Sequence, residues 1–149
     1  MRNSRLQTIA LCLLSTVFFV SGACADPIKS KEELVAAYKD VFRNKDADRL
    51  IALQCFDGAE EDDIRAVKEY LTNAAKTETK VSEINWLPPK GNEDKFASMG
   101  GRPYKYNLPV IGRIKVDFQA DESGEPKSFT FAIGNRGEEL LMAMRVPAR

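Results

Sequence analysis

The sequence predicts an α+β domain in which two or three N-terminal helices pack on one face of a curved antiparallel sheet of four to six strands. Three observations favour this class. Apolar residues recur at helical spacing up to residue 76, and apolar and polar residues alternate from residue 84 onward. In the second half, residues typical of turns, mainly Gly, Pro, Asn and Asp, separate the apolar segments.

Three helices are predicted before residue 76. Ser30 and Glu33 have the spacing of a capping box, in which each side chain accepts a hydrogen bond from the other's backbone N–H. Asp46 is the predicted cap of a second, shorter helix. An Asp-Gly pair at 57–58 breaks the chain before a third helix. The acidic residues from Glu60 to Asp63 are placed at its first turn, where negative charge favours the helix dipole.

The second half is predicted to consist of strands. A strand that contains Ile84 and Trp86 comes first, and a hairpin follows that turns at Gly100-Gly101. Pro109 and Gly112 interrupt the next ladder, which predicts a bend or bulge there. The last strand is expected to run from Leu140 through Val146 with its apolar residues on one face.

The first 25 residues have the three parts of a secretory signal peptide. Two arginines and no acidic residue precede an apolar run from Thr8 to Val20. This run is shorter than the roughly 20 residues that a membrane span needs. Small residues at Ala23 and Ala25 then suit a signal peptidase. We predict cleavage after Ala25, so that residues 26–149 form a single domain that is periplasmic or secreted.

Cys24 leaves a second outcome open at this end of the chain. A bacterial lipoprotein signal also ends in a cysteine, which is lipidated and anchors the protein to the cell envelope. Such signals carry leucine three residues before the cysteine, whereas this chain has Ser21 there. Removal of Cys24 with the signal is therefore the favoured interpretation, and no transmembrane helix is expected after processing.

Composition argues against several classes of function. Two of the 22 basic residues lie in the signal and all 22 acidic residues follow it, so the processed domain is slightly acidic. Nucleic acid is therefore not an expected partner, because phosphate binding needs a basic excess or patch. The chain has no histidine, which excludes Ser-His-Asp and Cys-His catalytic arrangements. It also removes the usual nitrogen ligand of a metal site, and no metal or other cofactor is predicted.

The segment from Tyr38 to Leu53, YKDVFRNKDADRLIAL, resembles the opening of the NTF2-like superfamily, also called SnoaL-like or cystatin-like. Its members often have a first helix, a short second helix and a curved sheet wrapped round a helix, and Asp46 and Leu50 stand in the pattern of that second helix. The resemblance implies a cone-shaped fold. It implies no single function, because the superfamily includes isomerases, dehydratases, transport factors and ligand-binding modules. The segment 107–112 is similar to small exported bacterial proteins of unassigned function.

Four aromatic residues are candidate ligand-binding residues: Tyr38, Trp86, Tyr104 and Tyr106. They could line the mouth of a pocket between the helices and the sheet. Each also has a structural interpretation, since Tyr38 suits a core and aromatic residues at alternate strand positions are common in sheets. No catalytic residue is predicted. Cys55 is interpreted as a small buried residue in preference to a reactive thiol.

Two main hypotheses about function follow, beside a third possibility that depends on Cys24, namely a lipid-anchored envelope protein that acts through protein contacts. The favoured one is a non-enzymatic exported module that binds a small apolar ligand or forms a homodimer, because the sequence contains no convergent set of polar residues. The alternative is a small histidine-free enzyme of the isomerase or dehydratase kind. In that enzyme Tyr38 or Tyr106 would act with a buried carboxylate of raised pKa. Whether such a carboxylate lies between the helices and the sheet discriminates the two.

Overall fold

A computed structural model describes residues 26–93, 95, 97–120, 124 and 127–148. The predicted signal and Cys24 lie outside the described residues. The described residues form three helices, α1 (Lys31–Asn44), α2 (Ala47–Ala52) and α3 (Glu61–Ala75). Seven strands follow: β1 (Val81–Leu87), β2 (Ala97–Met99), β3 (Arg102–Tyr106), β4 (Val110–Phe118), β5 (Ser128–Arg136), β6 (Glu139–Met142) and β7 (Arg145–Pro147). The predicted α+β class is confirmed. Within these ranges no helix has the length and apolar character needed to cross a membrane.

The helices begin at the caps expected from the sequence. Ser30 Oγ accepts a hydrogen bond from the Glu33 N–H at 3.2 Å, and the Glu33 carboxylate accepts one from the Ser30 N–H at 3.3 Å. This completes the capping box at the start of α1. α1 ends at Lys45, whose φ of 54° turns the chain sharply. Asp46 then begins α2 by accepting a hydrogen bond from the Arg49 N–H at 2.9 Å.

The strands form two antiparallel sheets: the predicted curved sheet, which has four strands, and a second sheet of three strands that was not predicted. The first sheet has the order β1-β4-β5-β6 and curls into a half-barrel. The second has the order β2-β3-β7. The prediction of one last strand over 140–146 was wrong, because β6 ends at Met142 and the chain joins β3 from Arg145. The cone implied by the NTF2-like resemblance stays a prediction.

The main core lies between the three helices and one face of the four-stranded sheet. Ile114 of β4 is opposite Phe131 of β5, and these alternate positions face the helices. The predicted packing of helices on one face of a curved sheet is confirmed. Burial of each large apolar side chain contributes about 1.5–3 kcal/mol to the hydrophobic term of folding. The least exposed side chains of this core are Leu34, Tyr38, Val41, Leu50, Leu71, Ile114, Val116 and Ile133.

A second, smaller core lies on the opposite face of β5 and β6. Cys55, Leu108, Leu141 and Ala143 are buried there. Because Leu140 and Met142 belong to the main core and Leu141 to the second one, β6 is buried on both faces. A strand that is buried on both faces does not alternate between apolar and polar residues. The prediction that the apolar residues of this strand share one face therefore does not hold for β6.

Gly112 lets the indole of Trp86 lie against β4. The register of β4 with β5 shifts between Val110 and Gly112, which confirms the predicted irregularity. A Cβ atom at position 112 would lie 2.0 Å from Cζ2 of Trp86, a distance that atoms in contact do not reach. Glycine at this position therefore provides the space that the ring occupies.

We expect Gly112→Ala to lower the free energy of unfolding by about 1–3 kcal/mol, because the added methyl group must displace the ring or the strand. Urea denaturation measures this change. As a control, Gly112→Ala is introduced into a Trp86→Leu variant, in which the indole is absent. There the substitution should lower the free energy of unfolding by less than it does in the unmodified protein. An equal loss in the two backgrounds would contradict the proposed contact.

Candidate functional site

The four predicted ligand-binding residues do not line a common cleft in the described part of the protein. Tyr38 lies in the main core, and Trp86 packs over Gly112. Tyr104 lies on β3, two residues before Tyr106. Of the four, Tyr106 lines three of the clefts at the surface of the described residues.

Tyr38 is enclosed by aromatic rings. Its ring centroid lies 5.5 Å from that of Phe131 and 6.4 Å from that of Phe42. Its hydroxyl has no hydrogen-bond partner among the described residues, and burial raises the pKa of the phenol above its usual range. No described Asp or Glu residue is buried as a whole, but Asp63 Oδ2, in the first turn of α3, is a buried oxygen without a described hydrogen-bond partner. Because the Tyr38 hydroxyl also lacks a described partner, no described carboxylate is hydrogen-bonded to it.

Cys55 is buried in the second core, as predicted, with 2% of its surface exposed. Desolvation raises the pKa of its thiol, which disfavours the reactive thiolate. Its backbone N–H donates to the Met142 carbonyl at 2.9 Å. Cys55 thus contributes packing and a backbone link to the edge of β6.

A cleft opens beside Tyr106 where β5 loses its neighbour. β6 pairs with residues 133–136 of β5, and Ala143 adds one further backbone bond before the chain leaves for β7. Among the described residues, no strand pairs with residues 128–131 on this side. We call this side of residues 128–131 the free edge of β5. Helix α3 borders the cleft on one side, and Tyr106 and Arg145 border it on the other.

The cleft has two halves that share four lining residues. The apolar half has a volume of about 240 Å³ and the cationic half about 250 Å³. The shared residues are Tyr106, Thr130, Ala132 and Arg145. The apolar half is further lined mainly by Val67, Tyr70, Leu71, Phe131, Met142 and Met144. The cationic half is further lined by Lys90, Asn92, Glu93 and Arg113.

Backbone carbonyl groups hold the two arginines of the cationic half. Arg113 Nε donates to the Pro88 carbonyl at 3.0 Å, and an Arg145 terminal nitrogen donates to the Lys95 carbonyl at 3.4 Å. The Arg145 guanidinium also lies 4.4 Å from the centre of the Tyr106 ring, within the range of a cation–π contact. Neither arginine pairs with a described carboxylate, so their remaining N–H groups can donate to a ligand.

Glu93 is the described carboxylate in this cleft. Partial desolvation opposes its ionisation, but N–H groups of Lys90, Gly91 and Asn92 donate to it and together lower its pKa. Glu93 is therefore ionised, and its hydrogen bonds stabilise the loop that contains Lys90, Gly91 and Asn92. In the described ranges, no group of three or more Cys, Asp and Glu side chains could hold a metal ion.

Asn107 holds the chain at the point where it leaves β5. This residue was not identified from the sequence. Its side-chain nitrogen donates to the carbonyl groups of Cys55 at 2.9 Å and Asp57 at 3.2 Å. Its side-chain oxygen accepts from the Met144 N–H at 3.0 Å, and its own N–H donates to the Met144 carbonyl at 3.0 Å. These bonds hold residue 144 away from β5 and so maintain the cleft. The available signal was a single Asn between two apolar residues after a strand.

Tyr38→Phe should raise the free energy of unfolding by about 1 kcal/mol, because it removes a buried hydroxyl that has no partner. Thermal or urea denaturation measures the change. Tyr70→Phe is the matched control and should have little effect, since Tyr70 is 50% exposed. A clear loss of stability in Tyr38→Phe would mean that the hydroxyl makes a hydrogen bond that this account omits.

Asn107→Ala should lower the free energy of unfolding by about 2 kcal/mol, because it leaves the Asp57 carbonyl and the Met144 N–H without their side-chain partner. The Cys55 carbonyl keeps its hydrogen bond from Gln54 Nε2 at 3.0 Å. Asn135→Ala is the matched control. Asn135 makes one long, exposed hydrogen bond, to the Gly137 carbonyl at 3.4 Å, so its loss should be a few tenths of a kcal/mol. Similar losses in both variants would show that Asn107 does not hold the segments together.

No family model matches the chain, and no curated protein or solved structure shows significant similarity to it. The NTF2-like resemblance over Tyr38 to Leu53 therefore stays a prediction. The interpretation of the cleft beside Tyr106 rests on the geometry and charge of its own residues.

Proposed function

We propose that the chain is an exported, non-enzymatic module that binds a small amphipathic anion in the cleft beside Tyr106. The apolar part of the ligand lies between α3 and β5, and its anionic group contacts Arg145 and Arg113. The observation that carries the proposal is that an apolar half and a cationic half adjoin and share Tyr106 and Arg145. A purely apolar ligand, as favoured from the sequence, would leave the arginines without an anion.

The apolar half supports the proposal through its exposed aromatic surface. Tyr70 is half exposed, and its ring meets that of Phe129 edge-on with centroids 5.8 Å apart. Leu71 and Phe131 lie beside it at the cleft wall. Covering such a surface removes apolar area from water, which gains about 25 cal/mol per Å². Each half is smaller than a typical small-molecule site, but the two halves together exceed the lower limit of about 300 Å³.

The cationic half supports an anion because its arginines are already positioned. Each guanidinium is held by a backbone carbonyl, so little side-chain entropy is lost when a carboxylate binds. Planar guanidinium groups donate two parallel hydrogen bonds to a carboxylate, and such charged bonds are stronger than neutral ones. Lys90 adds a third positive charge at the rim of the cleft.

The enzyme hypothesis has less support from the same residues. It requires a tyrosine beside a carboxylate whose pKa is raised. Tyr106 shares the cationic half with Glu93, but hydrogen bonds from the backbone lower the pKa of Glu93. A carboxylate of this kind is a poor proton acceptor or donor near neutral pH.

The test is isothermal calorimetry with decanoate, decanol and decyltrimethylammonium, which have the same chain and differ in charge. Decanoate should bind most tightly. Arg145→Gln should weaken its binding at least about tenfold, because a charged hydrogen bond is worth roughly 1.5–3 kcal/mol. Lys39→Gln, which removes a charge that lines a separate cleft, should leave binding unchanged.

Equal binding of decanol and decanoate would contradict the anionic part of the proposal. Absence of binding by all three would reject the ligand site. Sedimentation in the same buffer covers the homodimer predicted from the sequence: a dimer that fails to bind decanoate would mean that a second copy occupies the cleft, which also contradicts the proposal.

A further inference from the structure

The free edge of β5 points its backbone groups into the cleft. The Ala132 carbonyl accepts a hydrogen bond from the Ala143 N–H at 2.8 Å, so Ala132 faces this side. In an antiparallel strand the N–H and C=O of alternate residues point the same way. Thr130 and Ser128 therefore present their N–H and C=O groups to the cleft. On the other side the odd-numbered residues face β4, as shown by Lys127, whose carbonyl accepts from the Phe118 N–H at 3.0 Å.

We infer that the ligand of this cleft is the carboxyl-terminal end of an extended peptide, which pairs with the free edge of β5 as an added strand. The inference rests on the proposed function and names its ligand class. Main-chain hydrogen bonds to Thr130 provide affinity, and alternate side chains of the peptide enter the apolar half. The terminal carboxylate binds Arg145 and Arg113.

The other edges of the four-stranded sheet are protected in ways that this one is not. The outer edge of β6 is covered, since the Leu140 N–H donates to the Ile28 carbonyl at 2.7 Å and the Met142 N–H donates to the Leu53 carbonyl at 2.7 Å. β1, at the opposite edge, has a register irregularity between Val81 and Glu83. Bulges and covering segments are the usual protection of sheet edges. In the described part of the chain, residues 128–131 have neither.

The positive charge of the two arginines and the loop at this end of the cleft favour the end of a peptide over an internal segment. The loop that follows β1 contacts both arginines, because the carbonyl groups of Pro88 and Lys95 accept their hydrogen bonds. An added strand that reaches these arginines meets this loop. A chain that ends there places its carboxylate against the guanidinium groups, where no described carboxylate pairs with them.

The first experiment compares the hexapeptide acetyl-Ser-Thr-Val-Thr-Val-Leu as the free acid and as the C-terminal amide, by calorimetry with the full protein. The acid should bind at least about tenfold more tightly than the amide. In Arg145→Gln this difference should become smaller, and in the double variant Arg145→Gln/Arg113→Gln it should disappear. Equal affinities of acid and amide for the unmodified protein would overturn the role of the terminal carboxylate.

Backbone methylation of the peptide tests strand pairing without changing the protein. An added strand directs only every second N–H to β5. N-methylation at one alternate set of positions should therefore abolish binding, whereas methylation at the other set should leave it within about threefold. Equal effects of the two sets would overturn pairing with β5.

Thr130→Pro tests the same pairing from the protein side. Proline removes the N–H that faces the cleft, and this N–H takes no part in the ladder with β4, so an edge position tolerates the change. The variant should lose peptide binding. Thr130→Ala, which retains the N–H, should still bind the peptide, and equal peptide affinities of the two variants would overturn the pairing.

The outcomes separate this inference from the proposed function. Binding of decanoate without binding of the peptide acid would overturn the strand and leave the amphipathic-anion site standing. Failure of both ligands would overturn the site itself. Binding of both ligands by the unmodified protein, together with loss of peptide binding in Thr130→Pro, would support both.

Discussion

The carboxamide of Asn107 joins three segments that are far apart in the sequence, and the geometry of the cleft depends on it. Its nitrogen donates to the carbonyl groups of Cys55 and Asp57, and its oxygen accepts from the Met144 N–H. The backbone N–H of Asn107 also donates to the Met144 carbonyl. Replacing a partly buried side chain that makes three hydrogen bonds destabilises the fold, because each buried group left without any hydrogen bond costs about 1–3 kcal/mol of stability. The chain therefore leaves the first sheet at residue 143 and enters the second at residue 145.

This departure explains both the second sheet and the free edge of β5. β6 would otherwise continue along β5 and cover Thr130. Because β6 stops at Met142, residues 128–131 are left beside α3. The edge, the exposed ring of Tyr70 and the arginines of the cationic half come from four different elements.

Local signals explain which parts of the fold were predicted. The capping box at Ser30, the cap at Asp46 and the irregularity at Gly112 depend on residues close in sequence, and each was confirmed. The division of the strand at 140–146 could not be predicted, because it depends on hydrogen bonds from Asn107, 37 residues before Met144. Of the candidate site, Tyr106 was predicted from its aromatic ring. Arg113 and Arg145 were not, since an arginine on a strand is ordinary until the carbonyl groups that hold it are known.

Amide hydrogen exchange at single-residue resolution, in the protein without ligand, tests the central claim most directly, which is that β5 has a free edge facing the cleft. The account predicts fast exchange of the Ser128 and Thr130 N–H groups and slow exchange of the Phe129 and Phe131 N–H groups, which face β4. Equal, strong protection of all four N–H groups would contradict the account, because another segment would then cover the edge that the ligand is proposed to use.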